Sequence, residues 1–288
     1  MNVLVIARLT LLEALRRRIL WALLGLTVSV VLLSAWGFSA LLGNARAHDV
    51  TELEIVVAVS QLLILVAFMF SFVLAMTAAF LGAPAIAADL ESGVLQAIAA
   101  RPIRRVDILL GKWLGLAAIV LGYAVVAGLL EIAAVDVVTG YLPPDPLAAT
   151  LYLAGQAVVL LTIAVLLSTR LTTIAGGAIS VVLFGASWIS GVMASIAGFL
   201  DLDALAGTIQ VARFIVPLDG LWKGAVYALE PPAFILLATS AGERAARVAQ
   251  NNPFYASAPP DPAYLLYVAA WLVLMLGLAA WSFIGREI

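Results

Sequence analysis

Long apolar runs alternate with short polar stretches along the chain, and six of these runs are long enough to span a bilayer. An apolar helix needs about 20 residues to cross a hydrocarbon core that is about 30 Å thick. The pattern therefore predicts an all-α membrane protein with six transmembrane helices. The predicted spans cover approximately residues 21–42, 55–81, 113–140, 147–167, 172–200 and 263–284.

The second apolar run, residues 55–88, would form about 50 Å of helix, which is more than a bilayer needs. The sequence Gly82-Ala83-Pro84 offers a break, because proline is favoured at the first position of a new helix. We expect a short amphipathic helix to begin there, to lie at the membrane surface, and to end before Arg101-Pro102. Its apolar face carries Ile86, Leu90, Val94, Ala97 and Ile98, and its polar face carries Asp89, Ser92 and Gln96.

Two other segments outside the spans are also predicted to be helical. Residues 1–18 separate apolar and polar positions in the manner of an interfacial helix. Residues 201–262 contain seven prolines and several charges, so they predict an extracytoplasmic cap of short helices between the fifth and sixth spans. The apolar face of the first segment carries Val3, Leu4, Ala7, Leu11 and Leu15, its polar face carries Asn2, Thr10, Glu13, Arg16 and Arg17, and the charges that interrupt the cap are Arg213, Asp219, Lys223 and Glu230.

Small residues recur at four-residue spacing in the fifth predicted span, at Ser187, Gly191 and Ser195. Such spacing lets helix backbones approach closely in lipid. The pattern predicts close helix packing, either within the chain or against a second copy.

Composition supports the membrane assignment, because 65% of the residues are hydrophobic and only 11% are charged. A soluble domain has roughly 45–50% apolar and about 25% charged residues. The absence of cysteine excludes disulfides and thiolate metal sites. The net charge of −2, without a basic stripe, argues against a nucleic-acid partner.

The distribution of basic residues predicts the orientation. Ten of the 15 lysines and arginines lie in the N-terminal segment, the loop 84–112, the turn at Arg170 and the C-terminal segment. Arg46 lies in the short loops on the opposite side, and the other four lie in the predicted cap. Because short cytoplasmic loops carry the excess of basic residues, both termini and the loop 84–112 are predicted to be cytoplasmic.

Polar residues inside the spans offer little support for transport of protons or ions. Glu131 lies about 19 residues beyond Lys112, or about 28 Å along a helix, so we expect a wetted carboxylate at the outer interface. Gln61 and Gln156 are expected to cap the outer ends of their spans or to bond across helices.

Catalytic groups are equally scarce, and an enzyme is not predicted. His48 is the only histidine and lies in an outer loop, so Ser190 has no evident base for proteolysis. Gly111-Lys112 resembles part of a phosphate loop, but Val106 and Trp113 replace the glycine and the Ser/Thr that this loop requires. No set of residues has metal-ligand spacing, so we predict no cofactor or metal in this chain.

Four features resemble the ABC-2 type permeases, the transmembrane subunits of bacterial ABC transporters, over essentially the whole chain. The first is an N-terminal helix that leads into six spans. The second is a loop that is similar to the family pattern of a glutamate, Gly-Thr-Leu, a proline, an arginine and Leu-Gly-Lys, with departures at Val94 and Arg101. The others are the segment between spans five and six and a tail similar to Phe-x-Arg-Arg-Asp-Leu, with a departure at Gly285. The matching stretches are Glu91-Ser92-Gly93-Val94-Leu95, Ala100-Arg101-Pro102-Ile103-Arg104-Arg105, Leu110-Gly111-Lys112, Val216-Pro217-Leu218-Asp219 and Phe283-Ile284-Gly285-Arg286-Glu287-Ile288.

The resemblance implies that the helix after Pro84 is a coupling helix seated in a groove of a separate ATPase subunit. It implies an exporter in the bacterial cytoplasmic membrane with two ATPase subunits, which bind the ATP and Mg²⁺, and a second copy or a related permease. Membrane lipid and an extracytoplasmic accessory protein are further expected partners. Two alternatives stay open: a permease specialised for maturing an extracytoplasmic metalloenzyme, and a non-transporting scaffold or sensor. The residues expected to dock on the ATPase are Asp89, Glu91, Ser92, Gly93, Arg101, Pro102, Arg104 and Arg105.

Overall fold

The computed structural model describes residues 3–16, 18–93, 103–199, 213–240, 242, 249 and 252–286. All the secondary-structure elements assigned within these residues are helices, which confirms the predicted all-α class. The helices are α1 (Val3–Leu15), α2 (Arg18–Ala47), α3 (Glu52–Gly82), α4 (Pro84–Glu91), α5 (Arg105–Thr139), α6 (Pro146–Ser168), α7 (Thr173–Phe199), α8 (Asp219–Leu229), α9 (Pro232–Ser240) and α10 (Pro262–Ile284).

Six helical segments in the described residues are long and apolar enough to cross a membrane, as the sequence predicted: α2, α3 together with α4, α5, α6, α7 and α10. They are not equally enclosed by protein. In the most apolar 18-residue stretch of α6, 72% is buried inside the protein, whereas in the corresponding stretch of α2 only 6% is buried. Helix α6 therefore lies at the centre of the bundle, and α2 lies at its periphery.

Three of the spans begin at side-chain caps. Thr51 and Glu54 form a capping box at the start of α3, with the Thr51 N–H donating to Glu54 Oε2 at 3.0 Å. Asp145 and Asp261 directly precede α6 and α10, and their side chains accept from the N–H groups of Ala148 and Ala263 in the first turns of these helices. Each aspartate is followed by a proline at the first helical position. These local signals fix the ends of the spans at one side of the bundle.

Helix α4 differs from the predicted surface helix. Ala83 keeps helical angles, φ −59° and ψ −41°, so α4 continues from α3 without an intervening loop. Ala85, Ile86 and Ala87 are buried, and α4 packs against α5, α6 and α7. The helix ends at Glu91, and Gly93 follows in the left-handed region with φ +73°. The predicted continuation from Val94 to Ile98 lies outside the described residues.

Helix α1 packs along the first half of α5 at two glycines. A Cβ atom at Gly111 would lie 2.5 Å from the Ile6 Cβ, and one at Gly115 would lie 2.6 Å from the Ala7 carbonyl oxygen. Thr10, expected on the polar face, also contacts α5 at Gly115. Side chains on the other faces of α1, including Leu4, are exposed and available to lipid.

The segment from Arg213 to Glu230, which belongs to the predicted cap, packs among the spans. Ala228 O accepts from the Asp145 N–H at 3.2 Å, and Leu218 O accepts from Gln156 Nε2 at 2.9 Å. Asp145 and Gln156 are separated by about 16 Å along α6. The chain therefore enters the bundle to the depth of Gln156 and returns along α8.

Side chains of three spans satisfy the irregular backbone at the tip of this re-entrant segment. Besides Gln156, Trp271 Nε1 donates to Ile215 O at 3.0 Å, and Ser187 Oγ donates to Val216 O at 3.4 Å. Non-helical backbone at membrane depth is tolerated where protein groups supply such bonds. The charges of Arg213 and Asp219 make this segment look too polar for insertion in the sequence. In the structure they form an ion pair, which lets the segment pack among the spans.

Candidate functional site

Five helix ends meet at one end of the bundle, together with the first half of α5 and helix α1. These are the C-terminal ends of α4, α6 and α10 and the N-terminal ends of α5 and α7. We call this the α4 end. It carries every predicted docking residue that the structure describes.

Asp89 joins α4 to α5. Its carboxylate forms an ion pair with Lys112, and the Lys112 Nζ also donates to Ala85 O at 2.7 Å. Both side chains are half-buried and line a cavity of about 50 Å³ that Thr10 of α1 also borders. The Asp89–Lys112 ion pair thus holds α4 against α5.

Glu91 joins α4 to α7. Its carboxylate accepts from the backbone N–H of Thr173 at 2.9 Å and from the Thr173 hydroxyl at 3.3 Å. A carboxylate at a helix N-terminus satisfies an otherwise unpaired donor and interacts favourably with the helix dipole. Glu91 therefore acts as a cap for α7, although it is exposed at the surface.

Arg105 contacts the C-terminal end of α10. Its Nη1 donates to the carbonyls of Phe283, Ile284 and Arg286 at 3.3, 3.0 and 2.6 Å. The last carbonyls of a helix have no intrahelical partners, so a cation placed there both satisfies them and offsets the negative end of the dipole. Arg105 therefore has a structural role within the chain, and its predicted docking role stays a prediction.

Two further arginines bind helix ends, and the sequence analysis did not assign them. Arg170 Nη2 donates to Ser282 O of α10 at 2.9 Å, and Arg286 Nη1 donates to Thr169 O, just after α6, at 2.5 Å. A cation within a residue or two of a helix end is a signal for such capping. The pairing partner depends on which helices meet, which spacing along the chain does not reveal.

The remaining predicted docking residues are exposed. Ser92 and Gly93 form the turn after α4, with Ser92 Oγ donating to Ala88 O at 2.7 Å, and Arg104 precedes α5. Arg101 and Pro102 lie outside the described residues. The accessible part of the site therefore consists of the two segments that border residues 94–102, the turn at Ser92 and Gly93 and the residue Arg104. We call these segments the docking edges.

The predicted small-residue face of α7 contacts the chain's own re-entrant segment. Ser187 bonds Val216 O, and a Cβ at Gly191 would lie 2.4 Å from Asp219 Oδ1. The side chain of Ser195 is outside the described residues. The packing that the structure describes is thus intrachain, one of the two alternatives the spacing left open.

Glu131 does not match the prediction of a wetted carboxylate. It lies in the half of α5 that is remote from the α4 end, near Thr150 at the beginning of α6, but only 9% of it is exposed. The reason is that α2 and α3 cover this face of α5, which a count along one helix does not reveal. Gln156 does bond across elements, because it accepts from Ser71 Oγ at 2.8 Å and donates to Leu218 O at 2.9 Å.

The arrangement at the α4 end is suited to transmitting movement. Within the described residues, no three His, Asp or Glu side chains converge in a way that could hold a metal ion. Helix α4 is continuous with α3, ion-paired to α5 and hydrogen-bonded to α7. A force applied to the exposed turn at Ser92 would therefore act on three spans.

Six membrane-spanning helices and a short, multiply anchored helix at one end define a multi-pass membrane protein of the permease class. The family model described as ABC-2 family transporter protein matches residues 4–288. The chain therefore belongs to the ABC-2 transporter family. A comparison with curated proteins finds no match.

Proposed function

We propose that this chain is the permease subunit of an ATP-driven exporter in the bacterial cytoplasmic membrane, and that separate ATPase subunits dock at the α4 end. Family membership supports a membrane transport component whose ATPase is a separate subunit. The observation that carries the proposal is the linkage of α4 to α3, α5 and α7 beside an exposed turn. ATP-driven closure of the ATPases would displace this turn and thereby tilt the three spans.

The α4 end is proposed to face the cytosol. Arg104, Arg105 and Lys112 lie at this end together with Arg170 and Arg286, whereas Arg46 ends α2 at the opposite end. An excess of basic residues at the cytoplasmic side is the usual arrangement in multi-pass proteins. The same orientation places the docking edges where ATP is available.

We further propose that two permease chains, identical or related, act with two ATPases. Helix α2 is the least enclosed span, and Leu32, Leu33 and Trp36 on it are each about two-thirds exposed or more. In a bilayer these side chains contact either lipid or a second permease. A second chain would bury this surface and enclose a path between the two copies.

Affinity purification with a matched control tests the docking proposal. The tagged chain is extracted in mild detergent, and the ATP-binding protein recovered with it is quantified together with vanadate-sensitive ATP hydrolysis. Arg104→Glu and Ser92→Arg are expected to reduce both by about tenfold, because they place a reversed or added charge on the docking edge. Arg46→Glu makes the same charge change at the opposite end and should leave both unchanged.

Recovery of the chain without an ATP-binding protein, in a membrane fraction that shows no ATPase stimulation, would favour the non-transporting scaffold. Equal loss in all three variants would indicate misfolding, so the melting temperature of each purified variant is measured in parallel. The docking assignment fails if Arg104→Glu and Ser92→Arg retain native levels of the ATPase.

A further inference from the structure

An apolar cavity of about 90 Å³ lies between α2, α3, α5 and α6 in the outer half of the bundle. Its walls are formed mainly by aliphatic side chains of the four helices, with Phe70 and Tyr123 as aromatic members. One acidic side chain, Glu131 of α5, belongs to the lining. A carboxylate in such a wall requires an explanation, because ionised groups at membrane depth are rare unless they are paired.

The Glu131 carboxylate is enclosed but lacks a protein counter-charge. Both of its oxygens are buried, and no cationic group bonds to them within the described residues. The Ser34 hydroxyl of α2 is the polar group that interacts with them. An ionised carboxylate in apolar surroundings is strongly disfavoured unless a cation compensates it. The site therefore supplies a negative charge but lacks the cation that would compensate it.

A second, larger space adjoins this cavity. It is a groove of about 490 Å³ between α1, α2 and α5, and its lining is apolar. Thr27, Tyr123 and Ala127 line both spaces, and the hydroxyls of Thr27 and Tyr123 are hydrogen-bonded at 2.9 Å. Because α2 is the least enclosed span, the groove is open to the hydrocarbon on this side.

We propose that the cavity and the groove together bind a cationic amphiphile, with a protonated amine at Glu131 and a hydrocarbon chain in the groove. Tyr123 and Glu131 are eight residues apart on α5, or about 12 Å, so an alkyl chain of about ten carbons reaches past the Thr27–Tyr123 pair. The primary ammonium donates its N–H groups to the Glu131 oxygens, and the rings of Phe70 and Tyr123, 6.1 Å apart, line the space that the alkyl chain occupies.

Other ligand classes fit this site less well. A divalent metal requires several oxygen ligands, often carboxylates, whereas the cavity wall provides one carboxylate and three hydroxyl side chains among mainly apolar groups. An anion would be repelled, and a neutral alcohol would leave the carboxylate without a counter-charge. A cavity of about 90 Å³ also has no room for a sugar or a similarly large headgroup.

Direct binding to the isolated permease tests the proposal without any ATPase, so its outcome is independent of the proposed transport role. The chain is placed in phosphatidylcholine nanodiscs, and binding of tritiated decylammonium is measured above that of empty nanodiscs, with decanol and decanoate as competitors. We expect decylammonium to bind at least about tenfold more tightly than decanol. Equal affinity of the three compounds would overturn the proposal.

Glu131→Gln is the decisive variant, because it removes the charge and keeps the shape. It is expected to reduce the preference for decylammonium over decanol to less than about twofold. Asp136→Asn is the matched control: it removes an acid five residues further along α5 that does not line the cavity, and it should keep the native preference. An unchanged preference in Glu131→Gln, or an equal loss in Asp136→Asn, would contradict the assignment.

Ala127→Leu tests the site while retaining Glu131. Ala127 is buried and lines both the cavity and the groove, so a larger side chain there fills the space that the alkyl chain needs. Decylammonium binding is expected to fall by about tenfold or more, with the melting temperature and the gel-filtration profile used to confirm a folded chain. Undiminished binding to a folded Ala127→Leu variant would exclude this location.

Discussion

At the scale of single residues, the most unusual carboxyl group outside the spans is that of Glu230, at the end of α8. The side chain is fully buried, and one of its oxygens accepts from the Ala256 N–H at 3.2 Å. Burial raises the pKa of Glu230 to about 8, opposed by that hydrogen bond, by Gln61 and by the charge of Lys223. Tyr141 and Tyr255 are the other titratable groups that its charge affects.

This raised pKa makes stability depend on pH. Between the ordinary glutamate pKa of 4.5 and the folded-state value of about 8, the folded chain holds a proton that the unfolded chain has lost. Stability contributed by this group is therefore complete below pH 4.5 and decreases as the pH rises towards 8. Above this range the folded state carries an ionised, buried carboxylate.

Glu230→Gln is expected to remove this dependence, because glutamine keeps the acceptor oxygen and cannot ionise. The melting temperature of the variant should exceed that of the native chain by several degrees at pH 8 and equal it at pH 5. Glu52→Gln, at an exposed position in the first turn of α3, is the control and should match the native chain at both values. A native melting temperature that does not change between pH 5 and 8 would contradict the argument.

Glu91 offers a second prediction at this scale, because its contact with Thr173 assigns it a capping role. Glu91→Ala should destabilise the start of α7 by about 1 kcal/mol, whereas Glu91→Gln retains an acceptor oxygen and should lose less. Hydrogen exchange at the first-turn amides of α7 measures both effects. If neither variant accelerates exchange there, Glu91 does not cap α7 in solution and its docking role regains support.

At the scale of helices, the contact between α1 and α5 depends on the two glycines of α5 that face α1. Gly111→Val is expected to displace α1, because a Cβ there would lie 2.5 Å from the Ile6 Cβ. Gly122→Val is a matched control on the same helix, since a Cβ at Gly122 meets no atom within 4 Å. Hydrogen exchange of the α1 amides should accelerate by about tenfold or more in the first variant and stay native in the second.

A native exchange rate in Gly111→Val would mean that α1 adjusts to the larger side chain without leaving α5. Because Ile6 is buried at this crossing, such an adjustment would have to move the whole helix. The outcome therefore distinguishes a fixed contact from a sliding one.

The helices also show where sequence reasoning succeeds. The spans follow from apolar length, and caps such as Asp145 and Asp261 are local, so both are predictable from the chain alone. The depth of the segment from Arg213 to Glu230 is not, because its insertion depends on Gln156 and other donors that come from distant helices. Charges indicate an aqueous location unless their partners are known.

The candidate site follows the same division. Its position after Pro84 could be predicted from the sequence, whereas the role of each charge could not. Glu91 and Arg105 each bind a helix end that the fold brings to them, a role that the sequence did not indicate, and their contact with a partner protein stays a prediction. Glu131 was placed at the correct end of its span and in the wrong environment, because the covering helix α2 precedes it by about 100 residues.

At the scale of the whole molecule, the proposed orientation can be measured directly because the chain contains no cysteine. Single cysteines are introduced at Ser92, in the exposed turn after α4, and at Arg46, near the opposite end of α2. A membrane-impermeant maleimide applied to intact cells or spheroplasts should label Arg46→Cys and label Ser92→Cys only after permeabilisation. The reverse pattern would place the α4 end outside the cell and exclude docking of a cytoplasmic ATPase there.

The linkage of one short helix to three spans gives the molecule its proposed mechanism. Helix α4 reaches α5 through Asp89 and Lys112, α7 through Glu91, and α3 through the continuous backbone at Ala83. A partner that holds the turn at Ser92 can therefore move these spans together. Such a mechanism requires that an ATPase subunit contact this turn while the chain is in its native membrane.

Site-specific photo-crosslinking at Ser92 tests that requirement most directly. A photoreactive amino acid replaces Ser92 in the full chain, and replaces Arg46 in a control, before cells are irradiated and the products are identified by mass spectrometry. The account predicts an adduct with an ATP-binding subunit from position 92 and none from position 46. Crosslinks from position 92 to lipid or to the chain itself only, in cells that contain the ATPase, would contradict it.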